Sequence, residues 1–117
     1  MEKAVCYIKV PAEEKGEKRV FMATLEEKLL AYCKLAGLMP VAVICEDENA
    51  VTMPLTTRPG GEKLLRLVNA GKVKHVVVFK FEWLFCDAED ALSHVRDWDK
   101  TGVTLHLVEM KALAVKL

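Results

Sequence analysis

Two cations, a carboxylate, a thiol and a proline stand where apolar runs of this chain give way to polar segments, and these residue types decide what chemistry is open to it. Lys9 sits near the end of the run Ala4-Val5-Cys6-Tyr7-Ile8-Lys9-Val10, and Pro11 follows directly. Glu82, Trp83 and Cys86 lie in the segment Lys80-Phe81-Glu82-Trp83-Leu84-Phe85-Cys86, just after His75-Val76-Val77-Val78-Phe79, and Arg58 precedes Pro59. Lys9 and Arg58 are candidates for holding a phosphate, Lys as a compact point charge and Arg through a planar two-point fork. Cys86 is the one nucleophile of this set, yet no histidine adjoins it to favour the thiolate. Glu82 is a single carboxylate. General acid–base work needs a tuned pair, so an ion pair with Lys9 or Lys80 is the expected role. Pro11 offers no nucleophilic atom at all.

Other chemistries have less to stand on. His75, His94 and His106 are far apart in sequence and without ligand spacing, and Cys6, Cys33, Cys45 and Cys86 form no C-x-x-C pair. Neither a metal site nor a disulfide is expected, and the cysteines read as reduced, mostly buried thiols. No Gly-rich phosphate loop is present, so no nucleotide cofactor is expected. Trp83 and Phe85 have the faces on which bases stack, but core burial is the more ordinary use of such rings. Lys72, Lys74 and Lys80, and the set Lys15, Lys18 and Arg19, are interspersed with acids or flank a strand, the usual arrangement of solvated surface.

Composition narrows the field further. With 117 residues and 52% hydrophobic residues, the chain fits one domain with a real core. Seventeen basic residues balance seventeen acidic ones, so there is no global positive field of the kind that supplies non-specific DNA affinity. No run of eighteen apolar residues occurs, and the chain opens straight into a strand; a cytoplasmic location without membrane contact is expected.

The elements that must position these residues alternate in type. Lys3 to Val10 and Val41 to Cys45 are short apolar runs of the kind found in strands covered on both faces. The charged stretch from Pro11 to Met22 has no apolar periodicity and is expected to be a loop. Thr24-Leu25-Glu26-Glu27 matches a capping box, which predicts a helix starting there, with Leu25, Leu29, Tyr32, Cys33 and Ala36 as its stripe and Gly37 as its stop. Glu46 to Thr57 reads as a loop. Pro59 suits the first position of a second helix that carries Leu64, Leu65 and Val68 and ends at Gly71. His75 to Phe79, the most β-branched run, suits a central strand. Asp87 is the expected cap of a helix with stripe Ala88, Ala91, Leu92, Val95 and Trp98, ended by Gly102, and Val103 to Val108 is the fourth strand. The tail from Glu109 to Leu117 could add a short helix or strand, or dock elsewhere through Met110, Leu113, Val115 and Leu117. The fold class is therefore α/β, a three-layer, mostly parallel sheet of four to five strands with helices on both faces. In such sheets ligands gather beyond the carboxyl ends of the strands, which places Lys9, Pro11 and the segment 80–86 at the expected crevice.

Taken in order, Tyr7-Ile8-Lys9-Val10, Ala31-Tyr32-Cys33-Lys34-Leu35-Ala36-Gly37, Arg58-Pro59-Gly60 with Leu64-Leu65, Gly71-Lys72-Val73-Lys74-His75-Val76-Val77-Val78 with Lys80 and Leu84, and Gly102-Val103 resemble the catalytic domain of the serine recombinases, the resolvase/invertase family. The resemblance spans roughly residues 4 to 110. It implies a fold of the resolvase type and a DNA strand exchange in which a serine attacks the phosphodiester while arginines neutralise the phosphate. Against the family's Tyr-x-Arg-Val-Ser this chain has Tyr7-Ile8-Lys9-Val10-Pro11, and against Asp-Arg-Leu-x-Arg it has Glu82-Trp83-Leu84-Phe85-Cys86. The serine is replaced by a proline, its neighbouring arginine by Lys9, and both arginines of the second motif by Trp83 and Cys86. The family's glutamine falls near Leu25 in a chain with no glutamine, and its loop Ser-Gly falls near Thr52-Met53. Arg58 alone keeps a family arginine, and Ser93, the lone serine, sits on a helix away from the crevice.

The resemblance thus implies a recombinase-like domain without the family's catalytic set, acting as a regulatory or protein-interaction module. The alternative is a weak or rebuilt DNA phosphoryl-transfer enzyme. Implied partners are a second copy or an active recombinase, with DNA contacted weakly or through another domain. The family's long dimer-forming helix and separate DNA-binding domain do not fit after Val108, so residues 1–117 are expected to be a single catalytic-type domain.

Overall fold

A computed structural model describes the backbone of residues 1–10 and 16–109 and the side chains of all of these but 16–21. Strand β1 (Glu2–Val10) is followed by helix α1 (Gly16–Ala36), strand β2 (Leu38–Asp47), helix α2 (Pro59–Asn69), strand β3 (His75–Val78), the single-turn helix α3 (Phe81–Leu84), helix α4 (Ala88–Thr101) and strand β4 (Thr104–Leu107). Two short 3-10 turns, Ala50–Thr52 and Leu55–Thr57, lie between β2 and α2. The four strands form one parallel sheet in the order β2-β1-β3-β4. A parallel sheet needs cover on both faces, because its crossovers return over it.

Alternation along the strands divides the core between those faces. Val5, Tyr7, Ile44, Val76 and Val78 point toward α2, α3 and α4, where they meet Leu64, Val68, Trp83, Ala91 and Trp98. Ala4, Cys6, Ile8, Val10, Leu38 and Val77 point the other way and are covered by Leu29 and Cys33 of α1. Every residue from Ala4 to Ile8 is fully buried, which explains the near-continuous apolar run. In β2 the register shifts opposite Ala4 and Val5, leaving Val41 as an extra residue. This bulge lets Leu38 and Val43 share one face despite their odd spacing, and it falls beside Pro40 on an edge strand, where a missing N–H is tolerated.

Helix ends follow the expected residues: Gly37, Gly71 and Gly102 all have φ near +70 to +77°, the left-handed conformation that ends a helix. Asp87 caps α4 by accepting the N–H of Asp90 at 2.8 Å.

Two expectations are corrected. The stretch read as a loop from Pro11 to Met22 is helical from Gly16, and Thr24 lies inside α1 rather than at its start. Glu17, Lys18, Arg19, Met22 and Ala23 are good helix formers, so the helix extends by propensity beyond the expected start; residues 11–15 lie outside the described residues. In α4 the inward residues are Asp90, Ala91, His94 and Trp98, while Ala88, Leu92 and Val95 are exposed. The helix is turned because the Asp90 carboxylate reaches inward to the backbone N–H groups of Leu55 and Cys86. The tail from Met110 lies outside the described residues, and none of the described helices is long and apolar enough to cross a membrane.

Candidate active-site crevice

The parallel sheet brings the ends of β1, β2 and β3 together, and the residues singled out from the sequence converge there to different degrees. Lys9 pairs in register with Glu46, and its ammonium lies 5.3 Å from the centre of the Trp83 ring, a cation–π contact. Trp83 is 9% exposed, packs edge-on against Phe79 at 5.8 Å, and belongs to the core with Phe85. Glu82 is exposed. The pairing expected for it with Lys9 or Lys80 does not form among the described residues: Lys80 faces Glu109 at 3.7 Å instead. Pro11 lies outside the described residues.

Cys86 is half-buried, and its backbone N–H donates to Asp90 Oδ2 at 3.0 Å. Partial burial, then the neighbouring Asp90 and Asp87 carboxylates, raise its thiol above the usual range. Such surroundings keep it protonated, the reverse of the electropositive setting that activates a nucleophilic cysteine.

Arg58 is the largest fully buried side chain among the described residues. Its Nε donates to the Met53 carbonyl at 2.8 Å, Nη2 to the Val51 carbonyl at 3.0 Å, and Nη1 to the Trp83 carbonyl at 2.9 Å and to Tyr7 Oη at 3.2 Å. Four of the five guanidinium N–H groups are thereby committed to internal acceptors. The side chain fastens the turn after β2 to α3 and to β1, and a phosphate would reach it only if residues 50–57 moved.

Next to Arg58 lies a buried acid. Glu46, 3% exposed, accepts the Tyr7 hydroxyl at 2.7 Å through Oε1, and the N–H groups of Gly60 and Gly61 at 3.0 and 2.9 Å. Those N–H groups are orphan donors of the first turn of α2, and the positive end of that helix favours the carboxylate's charge. The N–H groups at the start of α2 are thus taken by the chain's own carboxylate. Burial, then the hydrogen bond to Glu46, pushes the Tyr7 phenol above its ordinary range against the opposing pull of Arg58. Glycine is needed at 60 and 61, since a Cβ on Gly60 would lie 2.7 Å from Glu46 Oε1 and one on Gly61 would collide with the Leu55 carbonyl.

Sequence reasoning missed Glu46, Tyr7 and Asp90. The double glycine after Arg58-Pro59 was the available signal, because it marks a close approach at a helix N-terminus. Of the histidines, His94 lies 3.5 Å from Asp90 and stacks on Phe85, whereas His75 and His106 meet at the opposite end of the sheet. Among the described residues no group of three His, Cys, Asp or Glu side chains could hold a metal ion.

Residues 4–114 match the family model described as "Resolvase, N terminal domain". Solved structures that share the fold include two catalytic domains. The C-terminal catalytic domain of ISC1926 TnpA, an IS607-like serine recombinase, superposes with a TM-score of 0.70 at 22% identity, over 91% of this chain and 67% of that one. The N-terminal catalytic domain of TP901-1 integrase superposes with a TM-score of 0.74 at 16% identity, over 93% of this chain and 78% of that one. No curated protein matches the chain in sequence. With the family model covering nearly the whole described sheet and its helices, the chain belongs to the resolvase N-terminal domain family, the catalytic-domain family of the serine recombinases.

Proposed function

We propose that this domain is a recombinase-like module that does not itself break DNA, and that it works in the cytoplasm by binding a protein partner, either a second copy or an active recombinase. The observation that carries this reading is the pairing of an enclosed Arg58 with a buried Glu46 where the phosphate support would be needed. Phosphoryl transfer requires a nucleophile and preorganised positive charge. Here the position following Val10 is a proline, the Lys9 ammonium rests on Trp83, Cys86 is held as a thiol between two acids, and a carboxylate stands at the start of α2. Lys9, half-exposed, is the cation of the family positions best placed to meet a phosphate, which limits DNA contact to weak association.

A suicide DNA substrate that traps covalent protein–DNA intermediates tests the reading. No adduct is expected with this protein at any substrate concentration. An adduct whose linked peptide maps to this chain overturns the proposal in favour of a rebuilt phosphoryl-transfer site.

A further inference from the structure

Strand order leaves β2 and β4 at the two edges of the sheet, and they differ in length: β4 has four residues and β2 has ten. A short edge is blunted by its length, whereas a long one presents a row of N–H and C=O groups that can pair with another strand. Pro40 and the bulge at Val41 guard the start of β2. From Val41 to Cys45, however, the strand carries neither charge nor proline, and both of those end residues are exposed. Among the described residues no strand pairs with this side of β2.

Beside this edge, between β2 and α2, runs an open groove of about 600 Å³. Ala42, Ile44 and Leu67 give it an apolar wall, and Lys63, Arg66 and Lys72 form its rim. All three cations are exposed. Arg66 is paired with Glu62 at 2.8 Å, whereas Lys63 and Lys72 have no ion-pair partner among the described residues. The chain as a whole has seventeen charges of each sign, yet the described lining of this groove includes no acid. An anionic occupant is therefore favoured by charge, and an apolar one by the wall.

Resting on the reading of this domain as a partner-binding module, we propose that the β2 edge receives an extended acidic segment of a partner protein. The segment adds to the sheet as a further strand beside β2. Its side chains on the α2 face set an apolar group against Ala42, Ile44 and Leu67 and carboxylates against Lys63 and Lys72. Main-chain bonds to β2 supply affinity, and the groove supplies selectivity. A second copy fits this edge less well. Pairing of two β2 edges is isologous, so it would bring both α2 helices to the same face and set one basic rim against the other. A nucleic acid fits less well too, because the wall is apolar and the lining has no aromatic ring on which a base could stack.

The test is selection of a random octapeptide library, displayed on phage, against the full chain. Selected peptides are expected to be rich in Asp and Glu, with apolar residues at alternate positions. One such peptide, synthesised with a fluorophore, is expected to slow amide exchange within residues 42–45 and to bind roughly fivefold more weakly to Lys63→Glu and to Lys72→Glu. Methylating every second backbone nitrogen of the peptide is expected to abolish binding in one frame and spare it in the other, since only one set of N–H groups faces β2. The proposal is overturned by a selection that yields no binder or no acidic enrichment, or by binding indifferent to both charge reversals and to the methylated frame. Protection of residues 42–45 by single-stranded DNA or by self-association, with none by peptide, overturns it as well. If either variant loses its fold, amide protection and the methylation frames in the unaltered protein decide. A covalent DNA adduct with peptide binding intact would remove the inactive-module reading and leave the groove, whereas neither adduct nor peptide binding would remove the groove alone.

Discussion

At the residue scale, the crevice is governed by a buried charge pair that a sequence does not display. Arg58 and Glu46 are linked through the Tyr7 hydroxyl and are each satisfied by backbone groups, which is the condition under which buried charges persist. Removing one member leaves the other uncompensated. Arg58→Ala is expected to cost about 3–5 kcal/mol in urea denaturation, and Arg58→Lys most of that, because an ammonium cannot span four acceptors in a plane. Near-wild-type stability of Arg58→Ala would show that the guanidinium is dispensable to the fold and free for other work. The raised Tyr7 and Cys6 groups give a second prediction. Both are held protonated by burial, so their contribution is complete below the unfolded values of about 8.5 for cysteine and 10 for tyrosine, and is lost as pH rises beyond them. Stability should therefore decline on the alkaline side, and Tyr7→Phe should flatten the upper part of that decline relative to neutral pH.

At the scale of elements, α4 shows how one polar side chain orients a helix. Asp90 holds the N–H groups of Leu55 and Cys86, and its burial turns Leu92 and Val95 toward solvent. Asp90→Ala is expected to cost roughly 2–3 kcal/mol by stranding those donors, whereas Leu92→Ser and Val95→Thr are expected to change stability by no more than about 0.5 kcal/mol. The reverse ranking in thermal or urea unfolding would restore the apolar stripe as the packing face. The position of α1 depends on Leu29 and Cys33, which cover the sheet, together with Tyr32, whose hydroxyl meets His106 of β4.

At the scale of the whole molecule, restoring a single atom type does not restore a site. On the reading proposed above, Pro11→Ser supplies a hydroxyl, yet Trp83 and Cys86 still stand in place of two arginines, and Glu46 still occupies the start of α2. Each absent preorganised donor is worth about 3–4 kcal/mol of barrier. Pro11→Ser is accordingly expected to form no covalent adduct with a suicide substrate in a denaturing gel; cleavage by that variant would mean that the remaining residues are sufficient.

The class of fold was legible in the sequence because it rests on local patterns: apolar runs of strand length, Pro59 opening a helix, and Gly37, Gly71 and Gly102 closing three of them. That Lys9, Glu82 and Cys86 lie toward the carboxyl ends of β1 and β3 was likewise legible, since parallel strands end on a common side. The N-terminal part of α1 was not, because charged residues with good helix propensity give no periodic signal, and neither was the face of α4, which Asp90 sets through bonds to residues 35 and four positions away. The fates of Arg58, Glu46 and the pair His75 and His106 belong to the tertiary structure alone. Whether a cation meets solvent or carbonyl groups, and whether two imidazoles meet at all, depends on which strands become neighbours, and strand order is fixed by the packing of the whole sheet.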